Sequence, residues 1–398
     1  MPALLLLCAC SAVTSTDGGN ATDPETTGEA PSGPFLDGFF PIGVFSQPTS
    51  MFEVWRERGC NTMLEVPQWE DRLAWDEGAQ EIGFKIIRRP VSDPADDVGR
   101  TDLLAWSLPD EPDVQGNNEP CGGNCIELCE SLYERWHAVD PTRPIFVNLA
   151  GPNVLLPASC DYCNGPGDEP PSSECFPESD QCYPRLLEAT DWVSQDIYPV
   201  SGWLFTEEIR GDITIVGQSL DKLRGWADKP LFAIVETSDQ RLDFPGAGSR
   251  GPTPAEYRAE VWDAIIHGAR GIFYFPQAFN PFVWDATQQP VLDEMQRQHE
   301  TIAELASVLQ GQIDPPGITA TVPAPLETGW RRDEEHTYVL VLNTSGTAVP
   351  TATITLDGLA SAPAIAVHGE SRSLTLADGA FVDEFEPHAL HIYVVPNR

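Results

Sequence analysis

The stretch Leu103-Leu-Ala-Trp-Ser-Leu-Pro-Asp-Glu-Pro112 carries an apolar run into an acidic pair, Asp110 and Glu111, bracketed by two prolines. Proline lacks the amide donor and blocks helix on both sides, so Glu111 is predicted at the rigid end of a buried strand, where a carboxyl can be aimed. A second apolar run, Leu231-Phe-Ala-Ile-Val-Glu236, also ends on a carboxyl. One carboxyl kept protonated can donate to a leaving group, and another kept ionised can attack. The chain holds 61 Asp and Glu among 398 residues, and any one acid taken alone is a solvated surface group. The elements that hold the two glutamates must therefore decide.

Those elements alternate. Strands are predicted over 41–45, 60–66, 84–88, 103–108, 144–148, 192–198, 231–235 and 271–275, with helices between them, including 51–58 and 69–82. Thr253-Pro-Ala-Glu256 is a capping box with proline at the first helical position, and Tyr257, Val261, Ala264 and Ile265 then share a face. Asn124 with Glu127 caps another helix, with Cys129, Leu132, Tyr133 and Trp136 as its stripe. Trp262 and His267 read as packing or satisfied core groups. Eight short, nearly continuous apolar strands alternating with helices predict an α/β fold, a (β/α)8 TIM-type barrel with its site at the C-terminal strand ends. The competing open doubly wound sheet wants a glycine-rich loop after its first strand, and Gly43-Val-Phe-Ser-Gln-Pro48 is not one. No P-loop, HExxH, GxSxG or EF-hand pattern occurs elsewhere.

Past Gly311 and Asp314-Pro-Pro-Gly317 the composition turns strand-like, with runs over 338–343, 351–356, 364–367, 373–376 and 389–394. These predict a small antiparallel β-sandwich that packs on the barrel. The expected organisation is an export segment over 1–10, a linker over 11–33, the barrel over 34–312 and the sandwich over 313–398.

With eight strands counted, the strand ends collect groups suited to sugar chemistry: Glu65, Arg88, Arg89, Asp110, Glu111, Asn148, Asp196, Tyr198, Glu236, Tyr274 and Gln277. Glu111 on strand four and Glu236 on strand seven would face each other across the mouth. Two carboxyls ~5 to 5.5 Å apart suit a retaining glycosidase, Glu111 as acid/base and Glu236 as nucleophile kept ionised with help from Tyr198. An inverting hydrolase would instead pair Glu111 with Asp196 or Glu65 at ~6.5 to 9.5 Å. Trp284, beyond strand eight, could stack on a sugar face. A catalytically silent barrel that binds glycans at a bacterial surface is the alternative from another class.

Trp106-Ser-Leu-Pro-Asp-Glu-Pro112 and Ile234-Val-Glu-Thr237 resemble the acid/base and nucleophile strands of clan A glycoside hydrolases. Segments 252–275 and 379–393 resemble exported bacterial proteins classed as glycoside hydrolases. The resemblance spans most of 35–398 and implies a (β/α)-barrel with catalytic glutamates at 111 and 236, acting on a poly- or oligosaccharide. Where that family places Asn before the acid/base, to contact the sugar 2-hydroxyl, this chain has Asp110, which cannot donate while ionised.

The formal charge of −38 excludes nucleic acid and anionic membrane surfaces as favourable partners. Pro2-Ala-Leu-Leu-Leu-Leu-Cys-Ala-Cys10 is too short to span a membrane and reads as an export segment, with Leu7-Cys8-Ala9-Cys10 resembling a lipoprotein cleavage box that would lipidate Cys10. Periplasm, cell surface or medium is the expected location, with a lipid anchor at Cys10 in the first two. Cys121, Cys125, Cys129, Cys160, Cys163, Cys175 and Cys182 cluster in two loops and are expected to form disulfides. Cys160-Asp-Tyr-Cys163 is only half a zinc site. Cys60 and Cys129 are also candidates for buried thiols. No metal or organic cofactor is required by this chemistry, and a monomer is expected.

Overall fold

The computed structural model describes residues 36–113, 124–155, 179–204, 207–243, 246–359 and 362–397. The expectations for residues 1–33, for Cys121, Cys160, Cys163 and Cys175, and for the side chains of Asn124, Cys125 and Cys182 lie outside them. No helix among the described residues is long and apolar enough to cross a membrane.

Eight parallel strands close into a barrel: β1 (Ile42–Phe45), β2 (Thr62–Leu64), β3 (Lys85–Arg88), β4 (Leu103–Ser107), β5 (Ile145–Ala150), β6 (Trp192–Asp196), β7 (Leu231–Glu236) and β8 (Ala269–Phe275). Closure is made by β8 against β1, with Ile42 beside Ile272 and Val44 beside Tyr274. Helices α1 (Phe52–Glu57), α2 (Arg72–Ile82), α3 (Asn124–His137), α4 (Gly151–Leu155), α5 (Ser179–Glu188), α6 (Thr214–Trp226), α7 (Pro254–Ile266) and α8 (Gln289–Leu309) accompany the strands. The strands alternate in facing. Phe45, Leu64, Ile87, Phe146, Trp192, Phe232 and Phe273 fill the interior, while Val44, Met63, Ile86, Trp106, Val193 and Val235 pack outward against Trp55, Trp75, Trp136, Leu220 and Trp262. Gly43 is required at the floor: a Cβ there would lie 2.5 Å from the Phe273 ring.

Local signals explain the helix ends. Asp71 caps α2 by accepting from Ala74 N–H at 2.9 Å, so that helix starts three residues later than predicted and leaves Trp69 in the preceding loop. Thr253 and Glu256 form the expected reciprocal capping box on α7. Cys129, on the inward face of α3, is buried and carries no disulfide, and neither does Cys60. Cys129 packs with Ile126 and Trp136 in the barrel–helix layer. Burial pushes the Cys60 thiol up to about 12.

After α8 the chain builds two antiparallel sheets. The short hairpin β9 (Ala278–Phe279) and β10 (Phe282–Val283) lies at the mouth. Strands β11 (Thr319–Thr321), β14 (Val349–Asp357) and β17 (Ala380–Phe385) form one sheet. The other runs β12 (Leu326–Arg332), β13 (His336–Asn343), β18 (Leu390–Pro396), β15 (Ala362–Val367), β16 (Ser373–Leu376). Ile354, Leu356, Phe381, Val339, Val341 and Tyr393 make the core between them. Sequence reading missed β11, β12 and β17. Strand β12, Leu-Glu-Thr-Gly-Trp-Arg-Arg, has no apolar alternation because it serves the barrel: the buried Arg331 donates to the Ile265 carbonyl at the end of α7.

Candidate active site

The C-terminal strand ends gather an acidic group on one side of the mouth. Glu111 lies just past β4 with φ of 44°, a left-handed conformation that non-glycine residues rarely adopt, and its N–H donates to the Asn148 carbonyl at 3.0 Å. Its carboxyl interacts with that of Asp196, at the end of β6. Burial first, then the charges of Asp196, Asp110 and Asp113, hold Glu111 well above the usual carboxylate range. Burial, then the charge of Asp110, also raises Asp196, and the interaction with Glu111 opposes that rise. Tyr198 donates its hydroxyl to Asp196 at 3.3 Å.

The neighbouring positions complete the acidic wall. Asp110, where an amide was expected, accepts from Asn148 Nδ2 at 3.0 Å, so the amide reaches the site from β5 instead. Burial raises Asp110 to about 6, against the Asn148 hydrogen bond. Asn148 Oδ1 is buried without a donor among the described residues. Glu65, just past β2 with φ of 62°, accepts from Ser107 Oγ, and burial raises it while Arg89 opposes the rise. Arg89 also lowers Asp110. Asp113, which the sequence reading did not single out, is buried, accepts from Ala150 N–H at 3.2 Å and Tyr183 Oη at 3.0 Å, and is pushed by burial up to about 7. Its signal was the Asp-Glu-Pro-Asp run itself.

The other side of the mouth is aromatic. Phe45, Trp69, Phe275, Phe279, Phe282 and Trp284 line a cleft together with Ser46, Pro67, Gln68 and Gln277. Trp69 is 55% exposed and Phe282 41%, both large apolar surfaces offered to solvent. The Trp69 and Trp284 rings lie 5.7 Å apart, and Phe282 meets Trp284 edge-on at 4.8 Å. Tyr198 packs on Phe275 at 5.5 Å, joining the acidic wall to the aromatic one. Gln277 donates to the Phe45 and Ser46 carbonyls, while its Oε1 is buried without a donor among the described residues. Trp69, Phe275, Phe279 and Phe282 were missed because each reads as a core aromatic; only the loop after β2 and the β9–β10 hairpin bring them into one cleft.

Two predicted site residues, Tyr274 and Arg88, are placed elsewhere, and Glu236 is held apart from Glu111. Tyr274 faces outward, because Phe273 and Phe275 take the inward positions of β8. It is buried between the Tyr257 hydroxyl at 3.0 Å and His299 Nε2 at 2.8 Å. Arg88 also points outward, to Asp76 at 2.5 Å and to Asp97 at 2.8 and 2.9 Å, in a network that Trp106 joins through its indole N–H. Glu236 ends β7 fully buried. Its two carboxylate oxygens accept from Val200 N–H and Ser201 N–H, each at 2.5 Å, in the turn after β6. Burial pushes it up to about 7, the two hydrogen bonds oppose that rise, and the acids beside it are Glu256 and Glu260 of α7. The carboxyl in contact with Glu111 is therefore that of Asp196.

A buried acidic group beside an aromatic-walled cleft, at the C-terminal face of a (β/α)8 barrel, can be compared with solved structures. A GH42 β-galactosidase from G. stearothermophilus superposes with a TM-score of 0.57 at 9% identity, over 90% of this chain and 98% of that one. A structure described as a glycoside hydrolase gives 0.52 at 12% identity, over 90% and 93%. The likeness is one of fold. No protein-family model matches the chain, and no curated protein does.

Proposed function

We propose that this protein is a glycoside hydrolase that cleaves β-glycosidic bonds in a neutral poly- or oligosaccharide, with Glu111 as the general acid. The observation that carries the reading is the buried, interacting pair Glu111–Asp196 beside an aromatic cleft. A carboxyl held above the ordinary carboxylate range, as Glu111 is, suits protonation of a leaving glycosidic oxygen, and flat aromatic faces suit the apolar faces of sugar rings. In this reading Asp196, which raises Glu111, is its positioning partner, and the second catalytic carboxyl comes from elsewhere.

In this reading that carboxyl is Glu236, acting as nucleophile in a retaining reaction. Its place at the end of β7 and the two backbone N–H donors that favour its ionised form support the role. Glu65, steadied by Ser107 and close to Arg89, is the base of the inverting alternative. The apolar segment at 2–10 and the clustered cysteines support export, with Cys10 lipidated or the chain released.

A panel of chromogenic β-glycosides and polysaccharides, with proton NMR of the first-formed anomer, tests the proposal. Turnover with retained configuration, lost in Glu111→Gln and Glu236→Gln, is the expected result. Inverted product with loss in Glu65→Gln would replace the retaining mechanism, and glycan binding without turnover across the panel would sink the enzyme reading.

A further inference from the structure

Away from the mouth, a second charged cluster sits where α6, α7 and β12 meet. His267 closes α7, and its ring lies over Gly217 of α6, where a Cβ would come within 2.3 Å of it. Only glycine leaves room for the imidazole. His267 Nδ1 meets Asp221 Oδ2 at 2.8 Å, and Nε2 meets Glu327 Oε2 at 2.7 Å and Asp263 Oδ1 at 3.8 Å. Asp263 is fully buried. Its Oδ2 accepts from Gly217 N–H at 2.7 Å, while Oδ1, on the imidazole side, has no hydrogen-bond donor among the described residues. The sequence reads His267 as a packing group; the fold instead surrounds it with three carboxylates.

We infer that His267 Nε2, Asp263 Oδ1 and Glu327 form a structural binding site for a divalent transition metal such as Zn2+, which ties the barrel to the C-terminal sheet. The three ligand atoms lie within 4.8 Å of one another, and ligands 2.0 to 2.1 Å from a tetrahedral ion stand ~3.3 to 3.5 Å apart. The observed 2.7 and 3.8 Å straddle that spacing. Asp221 on Nδ1 supplies the carboxylate that usually orients a metal-bound imidazole and fixes its tautomer. An imidazole among the ligands favours zinc or its neighbours over magnesium or calcium. The site lies at the N-terminal face of the barrel, where α7 turns into β8, so its role is to hold and not to catalyse. Without a cation, a doubly protonated His267 would make an ionic clasp from the same groups.

The test uses the full chain, stripped by dialysis against a chelator and titrated with Zn2+ alone and with Co2+ alone. The expected result is one more equivalent of Zn2+ in the wild type than in Glu327→Gln or Asp263→Asn, and a Zn2+-dependent rise in Tm of at least ~3 °C that both variants lose. Glu327 is partly exposed, which makes its amide variant the milder one. The Co2+ spectrum of the wild type gives a readout independent of both variants: d–d bands without thiolate charge transfer support the site. Equal stoichiometry in wild type and variants, or cobalt bound only with thiolate charge transfer at the cysteines, overturns the metal site and leaves the ionic clasp.

Discussion

The carboxyls of Glu111 and Asp196 meet at the ends of β4 and β6, and burial together with the charge of Asp196 holds Glu111 well above the usual carboxylate range. If Glu111 is the general acid, activity falls as pH rises through its pKa. Asp196→Asn removes a negative charge that raises Glu111, so the basic limb of the kcat/KM profile should move to lower pH by about a unit or more, with roughly 10- to 100-fold lower activity near neutrality. A pH–rate profile checks this. An unmoved limb would mean that Asp196 does not set the acid.

Trp69 offers its ring to solvent above the cleft, so its removal costs little stability and acts on substrate. Trp69→Ala should raise KM by about tenfold, the worth of one aromatic stacking contact, with kcat within about twofold. Trp284→Ala should act in the same direction, since the two rings are neighbours. Steady-state kinetics on an oligosaccharide of at least three sugars gives the split.

Arg88 is buried between Asp76 and Asp97 on the outer side of β3. Arg88→Met leaves two carboxylates without their main counter-charge, and the expected loss is about 3 to 5 kcal/mol in urea unfolding. A loss below about 1 kcal/mol would show that Arg100, which also reaches Asp76, suffices alone.

Asp113 links folding to pH. Its folded pKa of about 7 stands above the ordinary 3.8, so the native state keeps a proton that the unfolded chain releases. The sign follows: this stability is fully present below about pH 4 and is lost as pH rises to about 7, up to roughly 4 kcal/mol by linkage. Asp113→Asn keeps an acceptor for Ala150 N–H and cannot titrate. Its unfolding free energy should therefore fall less than that of the wild type between pH 4.5 and 7.5.

Much of this architecture is written locally. Apolar runs of four to seven residues interrupted by helix signals such as Thr253-Pro-Ala-Glu256 specify the barrel, because strand burial and helix capping depend on near neighbours. The same runs end on Glu65, Glu111, Asn148 and Asp196, and these do converge. What the sequence could not carry is which way a strand-end side chain turns and what meets it. Tyr274 and Arg88 leave the mouth because their neighbours in the strand take the inward positions. Glu236 is drawn beneath the β6 turn by two backbone donors 36 and 35 residues away in sequence. Trp69 and Phe282 share a cleft only because two distant loops fold over one end of the barrel, and β12 is a strand only because the barrel stands behind it. Residue type and period settled which segments are buried. Long-range packing alone decided that Glu111 meets Asp196, since only the pairing of β4 and β6 with β5 brings their ends together.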